Sequence, residues 1–229
     1  MTALPYDAGD RTSRRIVVVS AGLSTPSSTR LLADRLGAAA AEALGARGAE
    51  VVVQHVELRP LAHALADHLL TGFPDATLGA ALDQVRGADG LVVVTPVFAA
   101  SYSGLFKTFF DVLENGALDE KPVLIAATAG SARHQLALDH ALRPLFAYLH
   151  AVVVPTGVFA ASEDFGSAEL EKRIGRAAGE LAALVDPAHL PRTRQSGEGG
   201  AREGDRRVAA DRFADPTPFE ELLRRASGS

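Results

Sequence analysis

The sequence predicts an α/β fold, a doubly wound, five-stranded parallel sheet of order 2-1-3-4-5 with helices on both faces. Three observations predict it. Five runs rich in valine and isoleucine alternate with helical patterns along the chain. Several of these runs are apolar at nearly every position, as strands covered on both faces must be. The first and third runs also lead into loops with the character of a ligand site, and parallel sheets gather ligands at the carboxyl ends of their strands.

The predicted strands are Arg15–Ser20, Glu50–Val56, Gly90–Thr95, Pro122–Thr128 and Val152–Val158. Helical patterns lie between and after them. Ser28–Arg47 is rich in alanine and leucine, with Gly48 as its stop. Ala76–Arg86 precedes the third strand, and Ser103–Asn115 follows it and ends at Gly116. Leu136–His150 follows the fourth strand, and Ala168–Val185 closes the compact part, with Pro187 just beyond. Strand–helix alternation implies helices on both faces of a parallel sheet. In the order 2-1-3-4-5 the first and third strands are neighbours at the switch point, so their two loops meet at one crevice. The fourth strand's loop, Thr128 to Ser131, flanks it.

Length and composition narrow the possibilities. A chain of 229 residues holds one sizeable core, or one domain with a tail. There is no cysteine, which excludes disulfides, thiolate metal sites and thiol nucleophiles. The net charge of −5 argues against a nucleic-acid partner. Residues 1–14 are polar and read as a flexible N-terminus, and no apolar run approaches the roughly 20 residues of a membrane span. The expected location is the cytoplasm. Residues 15–187 form the expected domain. Residues 188–229 are rich in arginine, glycine and glutamate and read as a flexible or partner-docking tail, with one apolar-faced turn or two near Asp215–Leu223.

Two loops carry chemistry. Ser24-Thr25-Pro26-Ser27-Ser28-Thr29-Arg30 follows a strand and opens a helix. The helix start presents unpaired N–H groups and partial positive charge, which favour an anion. The hydroxyl groups suit phosphate oxygens, and Arg30 adds charge. Helix capping alone accounts for these hydroxyls equally well. The signatures of a triphosphate loop and of a dinucleotide fingerprint are both missing. Thr95-Pro96-Val97-Phe98 suits the edge and face of a flat ring: a stiff backbone, an aromatic side chain and small neighbours. Its plainer reading is a turn with a core phenylalanine. Together the loops point to a mononucleotide, and FMN is the one that fits both.

The segment Ala88-Asp89-Gly90 through Thr95-Pro96-Val97-Phe98, continued by Ser101-Tyr102-Ser103-Gly104-Leu105-Phe106-Lys107-Thr108, resembles the NAD(P)H-dependent FMN reductase family. The nearest likeness is to the reductases that supply alkanesulfonate monooxygenase and luciferase-like monooxygenases. It continues through Ala127–Ser131 and Leu138–Pro144 to Gly157–Ala160, and covers roughly Arg15 to Ala160.

The resemblance implies a flavodoxin-like three-layer fold and hydride transfer from NAD(P)H to FMN, with reduced flavin passed to a partner monooxygenase. It implies no dedicated catalytic acid or base and no metal. Ser24, Ser27, Ser28 and Thr29 match the family's FMN-phosphate loop. Pro96, Val97, Phe98 and Ala99 match the loop along the isoalloxazine, where many relatives carry Tyr at the position of Phe98. Thr128, Ala129, Gly130 and Ser131 match the loop at the ring's other edge, where a Gly-Gly pair is common. Lys107 and Asp111 fall on a helix used for subunit packing, and a homodimer or homotetramer is implied. His140 falls in a helix that can carry an inserted residue, which places it at a subunit interface where it tunes flavin release; an ordinary surface histidine is the alternative.

Other signals are weak. His63 and His68 are five apart and make a poor metal pair. Arg133 and His134 could approach the nicotinamide nucleotide or stand as exposed loop residues. The rival functions are a flavin-retaining quinone or azo reductase, a flavodoxin-like electron carrier, and a non-flavin binding module of the same fold.

Overall fold

The computed structural model describes residues 13–187. The N-terminal residues before them and the expected tail, with its Asp215–Leu223 segment, lie outside the described residues.

Four long strands build the sheet: β1 (Arg14–Ser20), β2 (Val51–Glu57), β3 (Gly90–Phe98) and β5 (Pro122–Ala129). Between β3 and the first helix after it lies a short strand, β4 (Ser101–Tyr102), antiparallel to the end of β3. Two short strands, β6 (Val152–Val153) and β7 (Val158–Ala161), both run parallel to β5. The path is β2-β1-β3-β5-β6, with β7 pairing farther along β5. The doubly wound parallel arrangement is therefore present, with β1 and β3 adjacent at the switch point.

The fifth strand differs in detail from its sequence-based bounds. Val152–Val158 is two pieces separated by Val154-Pro155-Thr156-Gly157. Pro155 supplies no N–H to a ladder. The interruption is tied down from both sides. Arg143 donates to the carbonyls of Val154 and Pro155 at 3.1 and 3.0 Å. Glu180 accepts from the Thr156 N–H at 2.7 Å and from its hydroxyl at 2.8 Å.

Among the described residues, six α-helices flank the sheet. Helices α1 (Ser28–Gly45) and α6 (Ala168–Val185) cover one face. Helices α2 (Ala62–Thr71), α3 (Ala76–Arg86), α4 (Gly104–Asp111) and α5 (Arg143–Tyr148) cover the other. The strand residues divide by the period of two. Ile16 and Val18 face α1 and α6, while Val17 and Val19 face the opposite layer. Both sets are fully buried, which explains why β1 reads as an unbroken apolar run. On the second face Phe106, Phe109, Phe110 and Phe146 form a buried cluster, with Phe106 and Phe110 ring centroids 4.7 Å apart.

Helix limits follow capping chemistry. Ser27, Asp75, Ser103 and Ser167 each accept a first-turn N–H, and so start α1, α3, α4 and α6. Helices α3 and α6 have the limits read from sequence. Helix α4 is shorter, ending at Asp111. Helix α2 is an element the sequence reading did not contain. It begins at Ala62, after Leu61, which provides no side-chain cap, and buries only Leu65 fully, so neither a start signal nor a clear apolar stripe marks it. The expected helix Leu136–His150 is irregular: a π-helical stretch, Leu138–Leu142, runs into α5. Lys121 braces the amino end of β5 by donating to the carbonyls of Val85, Arg86 and Ala88 at 3.0, 2.7 and 2.9 Å, which closes the end of α3.

Burial raises the pKa of Glu180, but the two bonds from Thr156 and the Arg176 guanidinium outweigh it and hold the carboxyl below its ordinary 4.5. A depressed carboxylate contributes stability that is complete above the unfolded value and is lost as pH falls through the folded one. Glu180→Gln is therefore expected to lower stability by roughly 1–2 kcal/mol at pH 7. The difference between the two proteins should shrink below pH 4.5, as followed by thermal melts across pH.

Candidate functional site: a crevice at the switch point

β1 ends at Ser20 opposite Val94, but β3 continues for four more residues, to Phe98. The difference leaves one edge of β3 uncovered. The Val94 carbonyl accepts the last bond from that side, from the Ala21 N–H at 3.0 Å. Pro96, two residues on, turns its nitrogen to the same vacated edge. The sequence reading put Pro96 just past the strand. It lies within β3, in register with Thr128 of β5, because no neighbour asks for its missing N–H.

Beyond Pro96 the chain forms a hairpin. Val97 pairs with Tyr102 and Phe98 with Ser101, around a two-residue turn, Ala99-Ala100. Both alanines have positive φ, 48° and 66°. That is the backbone of a type I′ turn, which glycine or asparagine adopts more cheaply. The hairpin is locked to β3 by buried Thr95, whose hydroxyl accepts from the Ser103 N–H at 3.0 Å. Ser103 in turn caps α4 by accepting from the Phe106 N–H.

On the other side of the vacated edge, the turn Gly22–Ser27 leads from β1 into α1. Gly22 is forced by contact: a Cβ there would stand 2.2 Å from Ser27 Oγ. Ser27 Oγ already accepts from the Arg30 N–H at 3.2 Å. The backbone N–H groups of Gly22, Leu23, Ser24, Thr25, Ser28 and Thr29 have no hydrogen-bond partner among the described residues. They form a nest of donors where the α1 dipole is positive. Thr29 fixes the turn to β5 through a buried bond of 2.8 Å between its hydroxyl and that of Thr128.

These pieces enclose a cavity of about 320 Å³. It collects Ser24, Ser28 and Thr29 from the first loop, Pro96, Val97 and Phe98 from the second, and Thr128, Ala129 and Gly130 from the third. Ser27, Ala99 and Ser131, also singled out from sequence, do not line it. Ser27 is the α1 cap, Ala99 forms the hairpin turn, and Ser131 leads into a short 3₁₀ turn. Leu23 and Ser162 line the cavity without having been singled out. Ser162 follows β7, and its place became visible only with the split of the last strand. Phe98 stands half exposed at the mouth.

A second cavity, about 290 Å³, lies on the β2 side of the first loop and shares Ser24 with the crevice. A third, about 340 Å³, opens near Leu113–Asp119 and His150, at the amino ends of β5 and β6, away from the edge where parallel sheets bind ligands. Arg133 and His134 lie exposed in the 3₁₀ turn after β5, and His140 is exposed on the π-helical stretch. No group of three or more potential metal ligands is clustered among the described residues. No helix among them is long and apolar enough to cross a membrane.

A doubly wound sheet of flavodoxin-like fold, with an amide-lined turn and an extended hairpin meeting at its switch point, defines a mononucleotide-binding protein. The chain belongs to the NADPH-dependent FMN reductase family, whose model matches residues 14–166. It is 39% identical over 175 residues to an FMN reductase (NADPH) of Pseudomonas aeruginosa, covering 74% of this chain and 91% of that one. It is 40% identical over 183 residues to the NADH-dependent FMN reductase SfnE of Pseudomonas putida, covering 78% and 95%. Among solved structures it is similar to an oxidoreductase from Corynebacterium diphtheriae, at 55% identity and a TM-score of 0.74, covering 76% of this chain and 97% of that one.

The hairpin tip carries a backbone cost of roughly 1 kcal/mol for each alanine at positive φ. Ala100→Gly should relieve one of these costs and raise stability by roughly 1 kcal/mol, measured by denaturant unfolding.

Proposed function

We propose that this protein is an NAD(P)H:FMN oxidoreductase. The observation that carries this reading is the unpartnered nest of amides on the first loop, facing a crevice whose far wall is the β3–β4 hairpin. The residues present fit FMN. Its phosphate matches the free donors of Ser24, Ser28 and Thr29, and Gly22 keeps the turn tight enough to aim them. Its flat ring matches the slot between Pro96-Val97-Phe98 and Thr128-Ala129-Gly130. Ser27 supports the first loop by capping α1, and Ala99 and Ser131 belong to the turns that continue the other two loops. When bound, FMN supplies the hydride-accepting ring, with NAD(P)H as the donor.

The chain's own residues position the ring. Leu23, Val97 and Phe98 offer apolar contact to a ring. The hairpin is held by the Thr95–Ser103 bond, so its edge is set before any ligand arrives. No side chain in the crevice has to donate or accept the transferred hydrogen, since the chemistry belongs to the two cofactors. The crevice is open to solvent at Phe98, which suits FMN that enters and leaves as a substrate. The reduced flavin then serves a partner monooxygenase, the partner that the sequence resemblance implies. Residues 15–187 are the flavin-binding body, and the cytoplasm is the compartment.

A homodimer or homotetramer completes the reading. The exposed Lys107–Asp111 pair on α4 and the π-helical turn with His140 are the proposed contact surface. π-Helical turns of this kind cluster at functional positions. His140→Ala is expected to shift the gel-filtration profile towards a smaller species and to change how long flavin stays bound. Unchanged elution and unchanged flavin retention would remove His140 from this role.

Steady-state oxidation of NADH and NADPH at varied FMN tests the activity. Saturation by free FMN is the expected result. Turnover that ignores added FMN but follows an added quinone or azo dye indicates retained flavin, and no oxidation of either nucleotide indicates a carrier or binding module. Phe98→Ala should raise the KM for FMN about tenfold through lost aromatic contact.

A further inference from the structure

Phosphate recognition at the first loop leaves a charge to be assigned. A phosphate monoester carries about −1.5 to −2 charge at neutral pH. A helix N-terminus answers with only about half a charge. Arg30 is the nearest cation in sequence, but its guanidinium is already engaged. Its Nε donates to Asp34 Oδ1 at 2.6 Å, and its Nη1 pairs with Glu57. Two carboxylates on one guanidinium leave that flank of the turn one charge negative, next to where a dianion would have to sit.

Arg59 is the other guanidinium at the turn. Its Nη1 donates to Thr25 Oγ1 at 2.7 Å, and no carboxylate pairs with it among the described residues. Arg59 lines the second cavity together with Gly22, Ser24, Thr25 and Ser27, and that cavity meets the crevice at Ser24. Its backbone is fixed in advance. Leu58 is fully buried and its N–H donates to the Ser20 carbonyl at 2.9 Å, so the residue before Arg59 is pinned to the end of β1. Arg59 itself opens a 3₁₀ turn, Arg59–Leu61, with Pro60 second and buried Leu61 closing it.

We propose that Arg59 carries the positive charge of the phosphate site, pairing with the FMN phosphate and setting the preference for FMN over unphosphorylated riboflavin. This rests on the FMN reading above. Arg59 reaches the loop through Thr25 and turns the flank from net negative to neutral. Arg30 serves instead as a structural tie between α1 and the end of β2. The planar fork of an arginine suits both partners at once, one nitrogen on Thr25 and another on a phosphate oxygen.

Quenching of flavin fluorescence by the full-length chain measures the Kd for FMN and for riboflavin. The wild type is expected to bind FMN at least about tenfold more tightly than riboflavin. Arg59→Ala should lose about ten- to hundredfold in FMN affinity, leave riboflavin affinity unchanged and flatten the salt dependence of FMN binding. Arg59→Lys should recover part of the loss, since it keeps the charge without the fork. Because riboflavin binding reports an intact crevice, a misfolded variant would lose both ligands together. Arg59→Ala that keeps the wild-type ratio of FMN to riboflavin affinity overturns the assignment and leaves the FMN reading standing. A wild type that binds both flavins equally overturns the phosphate assignment. A wild type that binds neither overturns the FMN reading and this proposal with it.

Discussion

β3 outlasts β1, and the crevice exists because of that difference in length. Where β1 stops at Ser20, its chain leaves the sheet to make the amide-lined turn, while β3 carries on with one edge bare. A bare edge in a buried parallel sheet would ordinarily leave donors unsatisfied. Pro96 removes one donor, and the hairpin with β4 covers the next stretch. The two solutions give the second wall of the crevice its stiffness and its extended shape.

The turn and the hairpin do not touch the same neighbour by chance. Thr29, in the first turn of α1, is joined to Thr128 at the end of β5 by a bond buried from water. Thr95, one residue before Pro96, holds Ser103 and through it the start of α4. Each of the three loops around the crevice is therefore referred to the sheet by a threonine: Thr29 at a helix start, Thr128 next to a strand end and Thr95 within β3. Small hydroxyl side chains suit this task, since they bond within a few ångströms of their own backbone and need little room. A site assembled this way is ordered before a ligand arrives, which lowers the entropy cost of seating one.

Much of this was legible in the residues. The runs of β1, β3 and β5 are apolar on both faces, and α3 and α6 carry cap residues, so their limits were readable. Nine of the twelve residues singled out for the site meet in the crevice, because strand order alone brings three loops together. What stayed hidden depends on contacts distant in sequence. Helix α2 lacks a side-chain cap at its N-terminus, and its single fully buried residue, Leu65, leaves no pattern. The break between β6 and β7 was foreshadowed by Pro155 and Gly157, yet the bonds from Arg143 and Glu180 that make it stable are long-range. Arg59 is separated from Thr25 by a whole helix and strand, and the β1–β2 register decides that they meet. Arg30 looked like the loop's cation because it is adjacent in sequence, but Asp34, one turn along the same helix, and Glu57, from the end of β2, take it.

The brace at the amino end of β5 bears on how this protein can be handled. The chain holds three lysines, Lys107, Lys121 and Lys172. Lys121 has its ammonium committed to three carbonyl oxygens and half withdrawn from solvent. An acylating reagent thus meets two more accessible ε-amines, one on each side of the sheet, on α4 and on α6, each held only by a surface ion pair, with Asp111 and Glu169. Among the lysines, coupling to a bead or a dye favours those two, and acylation of the third becomes a chemical reporter that the end of α3 has come away from the sheet.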